Sequence, residues 1–166
     1  AEAHKILIKN FPDLLTILVP RHPERAESIE KILSNKNVSI SVRSRSDPID
    51  ATVSLLLADT IGELGLFFRM TDIAFVGGTL VPHGGQNPIE PALLGCAIVH
   101  GPHMENFLTV ESELAAAGAT AIARSANEVA QEVGTLLANS ALRNRRISAA
   151  RSVAEGKQSI LDAVFV

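Results

Sequence analysis

Tryptophan and tyrosine are missing from this chain of 166 residues, and cysteine occurs once, at Cys96. A single thiol excludes an internal disulfide and fits a reducing compartment. Basic excess is missing as well. The 15 Lys and Arg against 18 Asp and Glu leave a formal charge of −3, so nothing electrostatic points to nucleic acid as a partner. No apolar run nears the roughly 20 residues that cross a bilayer, and residues 1–10 lack the basic and apolar layout of a signal peptide. No internal repeat, low-complexity tract or linker interrupts the chain. With 46% hydrophobic and 20% charged residues, 1–166 reads as one globular domain with a sizeable core.

Several motifs are also absent. There is no Gly-Lys-Ser/Thr to make a Walker loop, no G-x-G-x-x-G, no H-E-x-x-H helix and no G-x-S-x-G elbow. What is present lies in residues 73–102. Two short apolar runs, 73–76 and 97–99, read as buried strands opening into loops. Between them come Gly77, Gly78, Gly84 and Gly85, then Asn87, Pro88, Glu90 and Gly95. Asn87 suits an N-cap, Pro88 a first turn and Gly95 a stop, so a short helix is expected here, its free amides facing the space that the glycines keep open. Glu90 sits on its first turn, where a carboxylate is a poor phosphate ligand and a good acceptor for two ribose hydroxyls. The stretch reads as a nucleotide site.

Elsewhere strands and helices alternate. Strands are expected at 14–19, 38–42 (more exposed), 53–58 and 120–123, and helices at 1–10, 23–34, 62–70, 105–118 and 126–138. Ser125 and Glu128 form a capping box for the last of these, and one or two helical segments fill 140–166. The pattern implies a Rossmann-like α/β fold, a parallel sheet with helices on both faces. Arg21 and His22 follow the first strand, at the carboxyl end where open sheets bind ligands. Arg21 is thereby a candidate partner for phosphate or carboxylate, and His22 is a ligand contact or a loop former. Arg43 and Arg45 read as a solvated loop, and Asp59 as a helix N-cap. His83, His100 and His103 lack the spacing of a metal site, so no metal or other cofactor is expected. Cys96 reads as core. With Glu90 given to ribose, no carboxylate is left to act as the general base of a transfer.

The run 75–91 (FVGGTLVPHGGQNPIEP), with Gly101-Pro102-His103 and Asn106-Phe107 after it, closely resembles the bacterial 3-deoxy-D-manno-octulosonic acid (Kdo) transferases. Residues 18–25 (LVPRHPER) and 59–64 (DTIGEL) are similar to that family too. The resemblance implies the C-terminal, donor-binding half of a GT-B glycosyltransferase, whose donor is CMP-Kdo and whose acceptor is the lipid A precursor at the cytoplasmic face of the inner membrane. It implies that Arg21 meets donor charge, that Gly77, Gly78 and Thr79 line the phosphate region, and that Asn87 and Glu90 serve the helix start and the ribose. A second set comprises His22, Thr60, Gly62, Pro82, Gly84 and Gly85, with Thr60 and Gly62 near the base. Catalytic base and acceptor site would lie in an N-terminal half, leaving this portion without catalytic residues and inactive by itself. A GT-B nucleotide-sugar epimerase and a non-catalytic nucleotide-binding module are the competing readings.

Two expectations concern packing. Arg143, Arg145, Arg146 and Arg151, followed by Ile160, Leu161, Val164 and Phe165, imply a terminal helix whose apolar edge is exposed, self-associated or folded back, with anionic lipid as an alternative contact. In resembling enzymes a further strand precedes the helix at 1–10. In a 3-2-1-4-5-6 sheet it would separate strands 14–19 and 53–58, so these two should either pair directly or be bridged by another segment.

Overall fold

A computed structural model describes residues 1–164. It divides into two compact units, Ala1–Phe67 and Phe68–Val166, each built around its own three-stranded parallel sheet with flanking helices.

In the first unit the strands are β1 (Thr16–Leu18), β2 (Ile40–Val42) and β3 (Leu55–Leu57), and the helices are α1 (Glu2–Asn10), α2 (Ala26–Asn35) and the start of α3 (Leu64–Arg69). The sheet order is β1-β3-β2, with Thr16 and Ile40 both in register with Leu55. Strands 14–19 and 53–58 thus pair directly, the first of the two expected alternatives. The continuous Leu55-Leu56-Leu57 run is buried on both faces, as a central parallel strand requires. Leu55 and Leu57 pack with Leu33, Val38 and Val42, whereas Leu56 packs with Ala58 and Phe67. Strand β2 corrects the expectation of exposure, because Ser41 and Val42 are buried and the Ser41 hydroxyl donates to Asp47 O at 3.0 Å. His4 anchors α1: Nδ1 lies 2.9 Å from Thr16 Oγ1 and Nε2 3.1 Å from Ser54 Oγ.

The second unit orders β4 (Ile73–Phe75), β5 (Ala97–His100) and β6 (Thr120–Ile122) as β4-β5-β6. All four residues of β5 are buried. Its core joins Ala74, Val76, Ile98 and Met104 to Leu114 of α5 (Leu108–Ala116) and to Ala150 and Ala154 of α7 (Ser140–Val164), whose small side chains let the long helix lie close. Helix α6 (Ala126–Ala138) starts on the expected capping box. Ser125 Oγ accepts from Glu128 N at 3.2 Å, and the Glu128 carboxylate accepts from Arg124 N at 3.0 Å. The arginines of α7 are partly spent inside the unit. Arg143 Nη1 donates to Leu136 O at 2.8 Å, capping α6, and its Nε lies 3.3 Å from Asp72; Arg146 pairs with Glu132 at 3.5 Å. Arg145 and Arg151 of the same cluster remain exposed. Of the expected apolar edge, Ile160, Leu161 and Val164 are described by backbone alone, within α7, and Phe165 lies outside the described residues.

Candidate functional site

After β4 the chain forms a loop that closes on itself. Gly85 N donates to Gly78 O and Gln86 N to Gly77 O, both at 3.2 Å, so the two glycine pairs are zipped together. These bonds use the carbonyls of Gly77 and Gly78 and leave their amides out. Gly85 has φ +74°, and a Cβ there would stand 2.7 Å from Met104 Sδ, so both conformation and space demand glycine. Pro82 and His83 are exposed at the loop's tip beside Val81.

Thr79 faces the other way. It is fully buried; its hydroxyl donates to Val76 O at 2.6 Å and accepts from Gly101 N at 2.7 Å, while its carbonyl accepts from His103 N at 3.0 Å. Both capacities of the hydroxyl are used within the protein. Asn106 N donates to Gly84 O at 3.0 Å, a second tie between the loop and the segment after β5.

Helix α4 (Ile89–Leu93) begins one residue later than expected, with Pro88 rather than Asn87 at the N-cap position. Asn87 Oδ1 accepts from Ile89 N at 3.0 Å, and Pro88 and Pro91 have no amide to give. Of the first helical turn only Glu90 N is without a partner among the described residues, which corrects the picture of a helix terminus rich in donors. The amides of Gly77 and Gly78, by contrast, take no part in the backbone hydrogen bonds among the described residues. Glu90 is half-buried, and its carboxylate forms no hydrogen bond or ion pair with the described residues.

The remaining candidates belong to the first unit. Arg21 and His22 are exposed directly after β1, with His22 Nδ1 3.4 Å from Glu24. Thr60 and Gly62 lie after β3, where Gly62 is exposed with φ +84°. The Thr60 hydroxyl donates to Glu63, which also takes both arms of Arg43 at 2.8 and 3.2 Å. Those bonds, from Arg43 first and Thr60 second, hold the Glu63 carboxyl down to about 2. Arg45 forks onto Glu30 at 2.8 and 3.0 Å and onto Asp47. Asp59 corrects its expected role as a cap for α3. It accepts from Ser44 N at 2.9 Å and Ser44 Oγ at 2.6 Å; burial pushes its carboxyl up, and these bonds outweigh it to give a net lowering. Arg43 and Arg45 are exposed, as expected of a solvated segment, and each is also ion-paired, Arg43 with Glu63 and Arg45 with Glu30 and Asp47. No local spacing in the sequence links Glu63 to Arg43.

The histidines serve separate ends. His100 is buried, with Nδ1 2.8 Å from Gly101 O; His103 pairs with Glu105 at 2.9 Å; His83 is exposed. Among the described residues no three His, Cys, Asp or Glu side chains converge as a metal site. Cys96 is buried, its Sγ 3.3 Å from Phe68 O and 3.4 Å from Thr71 O, and desolvation pushes its thiol up to about 11.

No protein-family model matches the chain. It is 40% identical over 106 residues to a 3-deoxy-D-manno-octulosonic acid transferase of Haemophilus influenzae, covering 64% of this chain and 25% of the relative. With the Bordetella pertussis enzyme of the same description the identity is 34% over 142 residues, covering 85% and 33%. The chain thus spans a quarter to a third of the length of these curated relatives. Among solved structures, the C-terminal CMP-Kdo binding domain of WaaA from Acinetobacter baumannii superposes with a TM-score of 0.87 at 35% identity, over 92% of this chain and 79% of that domain.

Proposed function

Because the chain belongs to the family of the 3-deoxy-D-manno-octulosonic acid transferases, as its C-terminal, GT-B donor-side half, we propose that it binds CMP-Kdo. The whole protein then transfers Kdo to a lipid A precursor at the cytoplasmic face of the inner membrane. One observation carries this reading: the Gly77 and Gly78 amides left out of the loop's own bonding, followed along the same stretch by a Glu90 carboxylate without a partner among the described residues. The amides would receive the phosphate of the CMP leaving group, stabilising the charge that develops on it. Glu90 would accept from the two ribose hydroxyls. Asn87 starts the helix that carries it.

A transfer to a sugar hydroxyl needs a base, and this loop offers no carboxylate beyond Glu90. We assign base and acceptor site to the N-terminal part of the longer relatives, and we expect this portion alone to bind donor weakly and transfer nothing. Among the described residues no helix is long and apolar enough to cross a membrane. Calorimetry with CMP, UMP and AMP tests the reading: CMP is expected to bind tightest, and equal affinities would sink it. Preference for a UDP-sugar would instead favour the epimerase.

A further inference from the structure

Residue Gly101 is held at both ends. Its amide donates to the buried Thr79 hydroxyl at 2.7 Å, and its carbonyl lies 2.8 Å from Nδ1 of the buried His100. A carbonyl can only accept, so Nδ1 of His100 carries the proton and donates. The two backbones are also in contact: a Cβ at Gly101 would lie 2.2 Å from Thr79 O and 2.4 Å from Thr79 C. Thr79 follows directly on Gly77 and Gly78, and its hydroxyl additionally donates to Val76 O, one residue past β4. The orientation of the Gly77 and Gly78 peptides is therefore referred, through Thr79 and Gly101, to His100 at the end of the central strand β5. His100 Nε2 is buried and has no partner among the described residues. A polar side chain kept in the core at that cost is explained by what its other nitrogen holds.

We propose that Thr79 and His100 are positioning residues: acting through Gly101, they set the glycine loop for its ligand and touch no ligand themselves. For the ligand this rests on the CMP reading above; for the loop it does not. Thr79→Val keeps the shape and removes the hydroxyl, and Thr79→Ser keeps the hydroxyl. His100→Leu removes the donor, and His100→Asn returns a donor close to the place of Nδ1. In the ligand-free chain, amide NMR signals of Gly77 and Gly78 are expected to move in Thr79→Val and in His100→Leu, to return toward native positions in the Ser and Asn variants, and to move no further in the double variant, since both act on one glycine. CMP affinity, by calorimetry, is expected to fall about tenfold in each single variant and by no more in the double, a fall of roughly 1.4 kcal/mol.

Unmoved Gly77 and Gly78 signals in folded variants overturn the proposal. So do additive losses, or a Thr79→Val loss of CMP with an undisturbed ligand-free loop, which would make Thr79 a direct contact. If the unaltered chain binds no CMP, the functional reading fails while the ligand-free NMR arm still decides this one.

Discussion

Gly101 leaves the loop almost no latitude. A methyl group there would meet Thr79 backbone atoms at 2.2 Å, well inside contact distance, and backbone gives way less readily than the end of a side chain. Gly101→Ala should therefore lower stability by about 1–3 kcal/mol, the usual range for overpacking, as urea unfolding would register. Glu90→Ala should leave stability near native and weaken CMP about tenfold or more, the scale of hydrogen bonds to a charged group. Inorganic phosphate binding should change far less, and equal losses for both ligands would return Glu90 to a structural role. Cys96, with its thiol pushed up to about 11, should stay silent toward a disulfide reagent at pH 8 until denaturant is added. The tight glycine turns and the place of Glu90 on a first turn were legible in the sequence because backbone permissiveness and an acid on a first turn are local properties. The inward burial of the Thr79 side chain was not, because the partner that turns it inward is Gly101, beyond the end of the next strand, and only the folded chain brings them together.

Elements were legible where one periodicity ran without interruption, as in α6 with its capping box and in the leucines of β3. They shifted where two signals overlapped. Asn87 and Pro88 both favour a helix start, and Asn87 serves by accepting from Ile89 N one residue outside the N-cap position. The cap at the other end of α6 came from a different helix, and no pattern within 126–138 foretells Arg143. Arg143→Ala should free the last carbonyls of α6 and speed hydrogen exchange at Asn139, whose amide bonds Thr135 O. Beyond β2 and β3, the clamp of Arg43, Thr60 and Glu63 makes a pH prediction. Glu63 falls from an ordinary 4.5 to about 2 in the folded chain, so its contribution is complete above about 4.5 and drains away as pH falls toward 2. Glu30, Asp47 and Asp59 are lowered as well and act in the same direction. The first unit's urea midpoint should drop between pH 5 and pH 3, and Glu63→Gln should flatten part of that drop. A midpoint insensitive to pH over this range would contradict the assignment.

On the scale of the whole molecule, alternation of strands and helices made the α/β class readable, and the order of strands was not readable, because pairing is decided by distant partners. The doubly wound order sets the first strand beside the second; here β3 stands between β1 and β2. Every strand pairing of the first sheet therefore passes through Leu55–Leu57, so Leu57→Ala, removing a fully buried side chain at a cost of about 2–5 kcal/mol, should release exchange protection in β1 and β2 together. The second sheet, whose neighbours follow chain order, should keep its own protection. The same feature has a consequence for how the chain leaves the ribosome. Among the described strands β1 and β2 have no partner in each other, so as they emerge both must wait for β3, the last of the three. The second unit can add its strands one at a time as they are made; the first must be assembled all at once, and until then its apolar segments are the part of the nascent chain most in need of a chaperone.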